Sequence, residues 1–282
     1  MTPILAVLSL WAFAANSILA RLALRGPEIN PLEFTAIRLL AGAVVLFPWA
    51  WAARGKAQSS GLNRWREPLA LFLYATFFSL AYVRLPAGVG ALVLFASVQS
   101  TMIGAALILG QRLGPGEWFG FGLSWAGLVY LLSPGLEAPP WLASINMALA
   151  GLAWGLYSVW GRGKSDPAGA TARNFLAIVP LALLLLWLSQ GSGTSSLYGK
   201  SLAAVSGAVT SGLGYLLWYF ALQRLSLWTA SVLQLTVPLI ALIGGFLFLQ
   251  ETLSLRLWLS SALILGGLYL ALIKKRTKKP GV

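Results

Sequence analysis

Two stretches of this chain follow one pattern, 140 positions apart. Leu225–Leu253 reads LSLWTASVLQLTVPLIALIGGFLFLQETL, and Leu85–Leu113 reads LPAGVGALVLFASVQSTMIGAALILGQRL. In one ungapped frame Arg84 falls on Arg224, Leu85 on Leu225, Ile103 on Ile243 and Gly104 on Gly244. The register continues through Leu109 on Leu249, Leu113 on Leu253, Trp118 on Trp258 and Gly127 on Gly267. Leucine matches carry little information in so apolar a chain, but Arg, Trp and Gly matches in one frame do. The chain holds two copies of one unit, and each copied stretch is long enough to cross a bilayer. Any fold must therefore place the same unit twice.

Composition says where the unit lives. The chain is 58% hydrophobic and 10% charged, with a mean hydropathy of +0.79. A soluble domain carries roughly 25% charged residues, so this chain lacks the polar surface to face water. Thirty glycines and thirteen tryptophans suit a helical membrane bundle, where small residues let helices approach and aromatics sit at the interfaces. A net charge of +13 would suggest nucleic acid in a soluble protein; here the basic residues lie in short loops and the expected partner is the bilayer, not nucleic acid. Without Cys or His, thiolate chemistry, the usual imidazole base and most zinc sites are excluded. No catalytic residue, metal or cofactor is expected.

Apolar spans fall near 3–20, 31–53, 66–83, 87–110 and 115–133, then near 141–160, 168–189, 199–222, 226–249 and 255–273. This divides the chain into a first five-helix repeat over 1–134, a linker over 135–140, a second repeat over 141–275 and a basic tail over 276–282. With a cytoplasmic N-terminus the inner loops hold Arg54, Lys56, Arg64, Arg66, Arg112, Arg162, Lys164, Arg173, Arg224 and the tail's Lys274, Lys275, Arg276, Lys278 and Lys279. Those fourteen stand against five outside, Arg21, Arg25, Arg84, Lys200 and Arg256, which places both termini in the cytoplasm. Five is odd, so the second repeat enters the membrane from the opposite side. Inverted repeats of this kind are how many secondary transporters build two access states around a central cavity.

Looser marks extend the repeat. Asn30-Pro31 before the second span matches Asp166-Pro167 before the seventh, with an arginine following each (Arg38, Arg173), and Trp11 pairs with Trp154. With these marks the chain resembles the drug/metabolite transporter superfamily in its ten-helix EamA-like branch. The resemblance rests on a Trp in the first helix of each half (LSLWAFAANS, GLAWGLYSVWGR), a Pro and Arg in the second (NPLEFTAIRLLAG), and the run FALQRLSLWTASVLQLTVPLIALIGGFLFLQETLSL. It covers essentially the whole chain, with departures at Val98 and Gln111, where the second half has Pro238 and Glu251. Within the superfamily it looks most like bacterial exporters of amino acids and related metabolites, the YddG-type aromatic amino acid exporters in particular. A monomeric multi-pass protein of the bacterial inner membrane is expected, and in the family's fold spans one, three, four, six, eight and nine line the cavity.

Polar and aromatic residues in mid-span are the candidate cavity lining, because unpaired polar groups are costly in lipid. They are Trp11, Asn16, Tyr74, Ser79, Tyr82, Ser97, Gln99 and Ser100 in the first half, and Trp154, Tyr157, Tyr215, Trp218, Tyr219 and Gln234 in the second. Ser17, Thr101, Ser158, Ser231 and Thr236 accompany them. Tyr215, Trp218 and Tyr219 share one helical face, which serves a packing seam as well as a cavity wall. Gln99, Gln234 and Asn16 have amide groups to satisfy, by substrate or by a neighbouring helix. Trp49, Trp51, Trp65, Trp141 and Trp187 lie near span ends as interfacial anchors. Pro238 is expected to kink the ninth span and release the Gln234 carbonyl, as a hinge or as a static bend. GxxxG pairs at Gly116/Gly120 and Gly151/Gly155 are expected to serve close helix packing.

Arg38 is the one charge inside a span; snorkelling or pairing with Glu33 or Glu28 is the expected role, and a substrate carboxylate the alternative. All seven acids lie in loops or at span ends, so side-chain proton coupling has no evident carrier. The reading is a secondary transporter exporting small neutral or zwitterionic metabolites, aromatic or hydrophobic amino acids foremost, by uncoupled alternating access. The alternative is a proton-coupled exporter of drugs or of another metabolite class. Nucleotide-sugars are disfavoured, since mid-span cations for a diphosphate are almost absent. An enzyme lacks its catalytic pair, and a channel its filter-like glycine run or charged ring.

Overall fold

The computed structural model describes residues 2–54, 63–110, 112–135, 138–161, 164–191, 193, 195–222, 225 and 233–272. Ten helices occupy these residues, and they are numbered in chain order. The first half has α1 (Thr2–Leu24), α2 (Pro31–Ala52), α3 (Asn63–Tyr82), α4 (Ala87–Ile108) and α5 (Pro115–Leu132). The second has α6 (Trp141–Trp160), α7 (Pro167–Leu188), α8 (Leu197–Ala221), α9 (Thr236–Leu249) and α10 (Leu255–Leu272). Seven of them (α1, α2, α4, α6, α7, α8 and α10) are long and apolar enough to cross a membrane. The N-terminal part of the expected ninth span, including Ser231, lies outside the described residues, as do Gln111, Arg224 and the basic tail.

Polar caps followed by proline start the helices at corresponding places. Asn30 accepts from Leu32 N at 2.8 Å ahead of Pro31, and Asp166 accepts from Gly169 N at 3.0 Å ahead of Pro167. Proline suits the first helical position, where its missing N–H has no partner to lose. Elsewhere proline breaks the ladder: α7 divides into Pro167–Ala177 and Val179–Leu188, with the interruption at Ile178 just ahead of Pro180. Pro238 shows the same pattern: the helical turn at Leu233 and Gln234 is interrupted at Leu235 and resumes at Thr236, with Pro238 in the first turn of the resumed helix.

Packing displays the duplication. Corresponding helices pair with each other: α2 with α7, α4 with α9, α5 with α10. Other contacts between halves include matched sets, α1 on α8 with α6 on α3, and α1 on α9 with α6 on α4. Exchanging the halves maps this set onto itself, as a pseudo-two-fold axis requires. Glycines permit the closest approaches. A methyl group at Gly151 would lie 2.5 Å from Ser97 Cβ and 2.6 Å from the Leu94 carbonyl, and one at Gly120 would lie 2.6 Å from the Gly267 carbonyl. Gly116, by contrast, has nothing within 4 Å, so only one member of that GxxxG pair serves packing.

Contacts between helix ends define two faces. On one, Lys164 meets Glu67 and Arg173 meets the Ala53 carbonyl; this is the face where α1 begins and α10 ends, called here the terminal side. On the other, the distal side, the α1, α3–α4 and α9–α10 ends come together. There α4 touches α9 closely, a methyl at Gly88 falling 2.8 Å from Leu242 Cα. Along α4, residues 87–96 are buried whereas Ile108 at the terminal side is exposed.

Candidate functional site

Five helices bring their aromatics to one place. Tyr74 and Phe78 come from α3, Trp154 and Tyr157 from α6, Tyr215 and Trp218 from α8, Phe13 from α1 and Phe175 from α7, with Arg38 entering from α2. Ring centroids lie 4.8 Å apart for Tyr74–Trp154, 4.9 Å for Trp154–Tyr215 and 5.3 Å for the stacked Trp154–Tyr157 pair. Phe13 meets Tyr215 at 5.8 Å and Trp218 at 5.9 Å, and Phe175 meets Tyr215 at 6.1 Å. These are ordinary aromatic contact distances, and Trp154 and Tyr215 together are their hub.

Arg38 occupies the edge of this cluster and is only 1% exposed. It neither snorkels nor pairs with Glu33 or Glu28, which corrects the expected role. Glu33 faces Lys200 at 3.5 Å and Ser195, and Glu28 takes a hydrogen bond from Ser196. The Arg38 side chain turns inward because α8 lies against α2 at this level: a methyl at Gly207 would meet the Arg38 backbone, 2.8 Å from its Cα. Arg38 Nε donates to Ser211 Oγ at 3.0 Å and Nη2 to the Tyr74 hydroxyl at 3.3 Å. The guanidinium lies 4.7 Å from the Phe78 ring and 5.3 Å from the Tyr74 ring. Nη1 has no partner, and neither has the Tyr215 hydroxyl.

Two polar nodes flank the cluster. In α8 the segment Ser206–Leu213 forms a π-helix, a wider turn often found at functional sites. It turns Ser206 and Thr210 to donate to Asn16 Oδ1 at 2.6 and 3.0 Å, and Ser211 to accept from Arg38 Nε. Asn174 of α7 builds the second node, donating to Tyr157 at 3.4 Å and to Glu67 at 3.0 Å. Glu67 also takes Lys164 at 2.6 Å, and Tyr157 donates to Thr171 at 3.4 Å. Sequence reasoning missed Ser206, Thr210, Ser211, Asn174, Phe13 and Phe175. The polar run SGAVTSG in mid-span was the available signal for the first three.

The structure brings Asn16, Tyr74, Trp154, Tyr157, Tyr215 and Trp218 to the cluster or its flanking nodes. Trp11 does not join them. It is 57% exposed and continues the outward stripe Ile4, Val7, Leu8 at helical spacing, so Phe13, two residues on, takes the inward place. The hydroxyls of Ser79 and Ser100 bond to their own helix at Ala75 and Ala96, Ser97 packs beneath Gly151, and Tyr82 donates to the Ala87 carbonyl within the α3–α4 turn. Gln99 is buried with its Nε2 unpartnered, while Tyr219 and Gln234 are half-buried.

A further contact fastens the distal side. The Glu251 carboxylate, between α9 and α10, accepts from Ala87 N at 2.8 and 3.1 Å and from Arg21 Nε at 3.3 Å. Arg21 in turn donates to the carbonyls of Tyr82 and Val83 at 3.1 and 3.0 Å, and Arg25 to that of Leu249 at 3.0 Å. An acidic group at the first N–H of α4 also suits the helix dipole. Burial pushes the Glu251 carboxyl above its ordinary value, against the opposing pull of the Ala87 N–H and of Arg21.

The EamA-like transporter family model matches residues 1–133 and again residues 141–273. An uncharacterized protein of Pseudomonas aeruginosa is 44% identical over 96% of this chain and 94% of its own length. A protein of Escherichia coli called a probable amino-acid metabolite efflux pump is 25% identical over 98% of this chain and 96% of its own. A crystal structure of a protein chain superposes with a TM-score of 0.64 at 22% identity, covering 95% of this chain and 98% of that one. That last likeness concerns the fold alone.

Proposed function

The chain belongs to the EamA-like transporter family, and from that premise we propose that it exports small zwitterionic metabolites, aromatic or hydrophobic amino acids first among them. It is a multi-pass membrane transporter, not an enzyme. One observation carries the substrate class: a buried aromatic cluster of residues from both halves, with one cation at its edge and, among the described residues, no carboxylate directly on the cation. Such a lining suits an apolar or aromatic body bearing a carboxylate, and it disfavours an organic cation, which would want an acidic partner. The Escherichia coli and Salmonella typhimurium relatives called probable amino-acid metabolite efflux pumps agree with this class.

Alternating access is the proposed mechanism, the two halves rocking about their pseudo-two-fold axis and Pro238 serving as a hinge at the start of α9. Transport runs downhill. Glu67 and Glu251 sit near opposite ends of the bundle, each fastened to its own cation, and neither bridges the span. The excess of basic residues on the terminal side supports cytoplasmic termini in a bacterial inner membrane. The test is flux in proteoliposomes loaded with labelled phenylalanine, leucine, serine or lysine. Phenylalanine is expected to leave fastest and only down its own gradient, an imposed pH gradient driving no accumulation. Absence of amino acid flux alongside movement of an organic cation would overturn the substrate class, and solute accumulation driven by pH alone would overturn the uncoupled mechanism.

A further inference from the structure

We propose that Arg38 is the docking point for a substrate carboxylate, one oxygen taken by Nη1 and the other by the Tyr215 hydroxyl. This rests on the transporter reading above. An arginine kept for packing completes its hydrogen bonds; this one, almost wholly buried, gives Nε and Nη2 to two neutral hydroxyls and leaves Nη1 with nothing. A buried cation without a counter-ion is costly. The described acids do not supply one, because each is fastened elsewhere. Glu28 is held by Ser196, Glu33 by Ser195 and Lys200, and Glu67 by Lys164 and Asn174. Glu117 takes Gly114 N, Asp166 takes Gly169 N, and Glu251 takes Arg21 and Ala87 N.

The second donor stands beside the first. Ser211, which holds Arg38 Nε, lies one turn before Tyr215 on the same face of α8. Tyr74, which holds Nη2, reaches Tyr215 through the Trp154 ring. The Tyr215 hydroxyl, itself 3% exposed, is likewise without a partner, and Tyr74 and Arg38 are among its polar neighbours. Two donors and one positive charge match the two oxygens and single charge of a carboxylate. A phosphate monoester would bring a second negative charge, and the other described cation near the cluster, Lys164, is already fastened to Glu67. The aromatic rings then receive the body of the solute.

The experiment uses 3-phenylpropionate and its uncharged twin 3-phenylpropanamide as competitors of labelled phenylalanine efflux, and as ligands in thermal-shift measurements on the solubilised full chain. In the wild type the carboxylate competes well and raises the melting temperature, and the amide does neither at the same concentration. Arg38→Gln weakens the carboxylate on the order of 30-fold and leaves the amide unchanged; Arg38→Lys recovers part of the loss. If Arg38→Gln does not fold, Tyr215→Phe decides, since removing a hydroxyl without a partner leaves the fold intact. It is expected to weaken the carboxylate roughly 5- to 15-fold and not the amide. Equal effects on both competitors in either variant overturn the proposal. Should the wild type move no amino acid, the proposed substrate class fails by itself, and the thermal shift still decides whether Arg38 takes the carboxylate.

Discussion

If the distal contact is a gate, deleting Glu251 should open it by a calculable amount. Glu251→Ala removes the acceptor for Ala87 N, at 2.8 and 3.1 Å, and for Arg21 Nε at 3.3 Å. Hydrogen bonds to a charged group contribute about 1.5–3 kcal/mol each. Two facts reduce the sum: Arg21 keeps its bonds to the Tyr82 and Val83 carbonyls, and the variant no longer buries a carboxylate. A net cost of about 1–2 kcal/mol to the closed arrangement follows, which is a factor of roughly 5–30 in the closed-to-open ratio. The chain has no cysteine, so one reporter can be added without background. Leu242→Cys places a thiol that is buried against Gly88 while α4 and α9 touch. Its maleimide labelling rate in detergent, normalised to an exposed Tyr198→Cys control, should rise about 5- to 30-fold in Glu251→Ala. The pH dependence has a definite sign. Because burial raises the Glu251 carboxyl, the closed arrangement holds a proton more tightly than the hydrated one. Closure is therefore fully favoured below the ordinary carboxylate range and weakens as pH rises through the raised value. Glu251→Gln keeps an acceptor and lacks the charge, so it should label like the wild type at low pH and show no step. Unchanged labelling in Glu251→Ala would sink the gate reading.

Three further outcomes are expected. In intact cells Tyr198→Cys should react with an impermeant maleimide and Trp65→Cys only after permeabilisation; the reverse pattern refutes cytoplasmic termini. Gly151→Ala should lower stability by about 1–3 kcal/mol, because its methyl meets Ser97 and Leu94, whereas Gly116→Ala, with open space around it, should be neutral or stabilising in thermal unfolding. Asn174→Leu should cost about 1–3 kcal/mol by leaving buried Glu67 and Tyr157 short of a donor, and a melting temperature equal to the wild type's would show that node to be idle.

The helices and their duplication were legible because apolar run length, basic loops and caps such as Asn30-Pro31 are local properties of a chain. Rotation about a helix axis is not. Successive residues differ by about 100°, and a membrane helix is apolar on its lipid face as well as its packed face, so periodicity gives little direction. That is why Trp11 was expected where Phe13 stands. The arginine match failed for a similar reason. Superposing Asn30-Pro31 on Asp166-Pro167 sets Arg38 over Asn174, and Arg173 falls one residue away, bonded to the Ala53 carbonyl. The π-helix in α8 was also beyond reach, since it reflects the demand of Arg38 and Asn16 on helices far away in sequence.

The Arg38–Asn174 correspondence gives the broken symmetry a meaning. Each residue lies seven positions into its helix, roughly 10 Å from opposite faces of the bundle. Asn174 closes a neutral link onto the fastened Glu67–Lys164 pair, whereas Arg38 keeps an open donor. Two arginines would double the buried charge and offer a ligand two opposed ways to bind; on the proposed docking, one arginine would set a single orientation, carboxylate toward the distal side. Beyond it, on that side, stands the contact among Glu251, Arg21 and the start of α4. On the proposed export reading, a solute entering from the terminal side reaches the cation first and meets the barrier next, so release would depend on parting α4 from α9. The deletions that most affect entry and exit should therefore differ: Arg38 governs which solute is held, and Glu251 governs when it leaves.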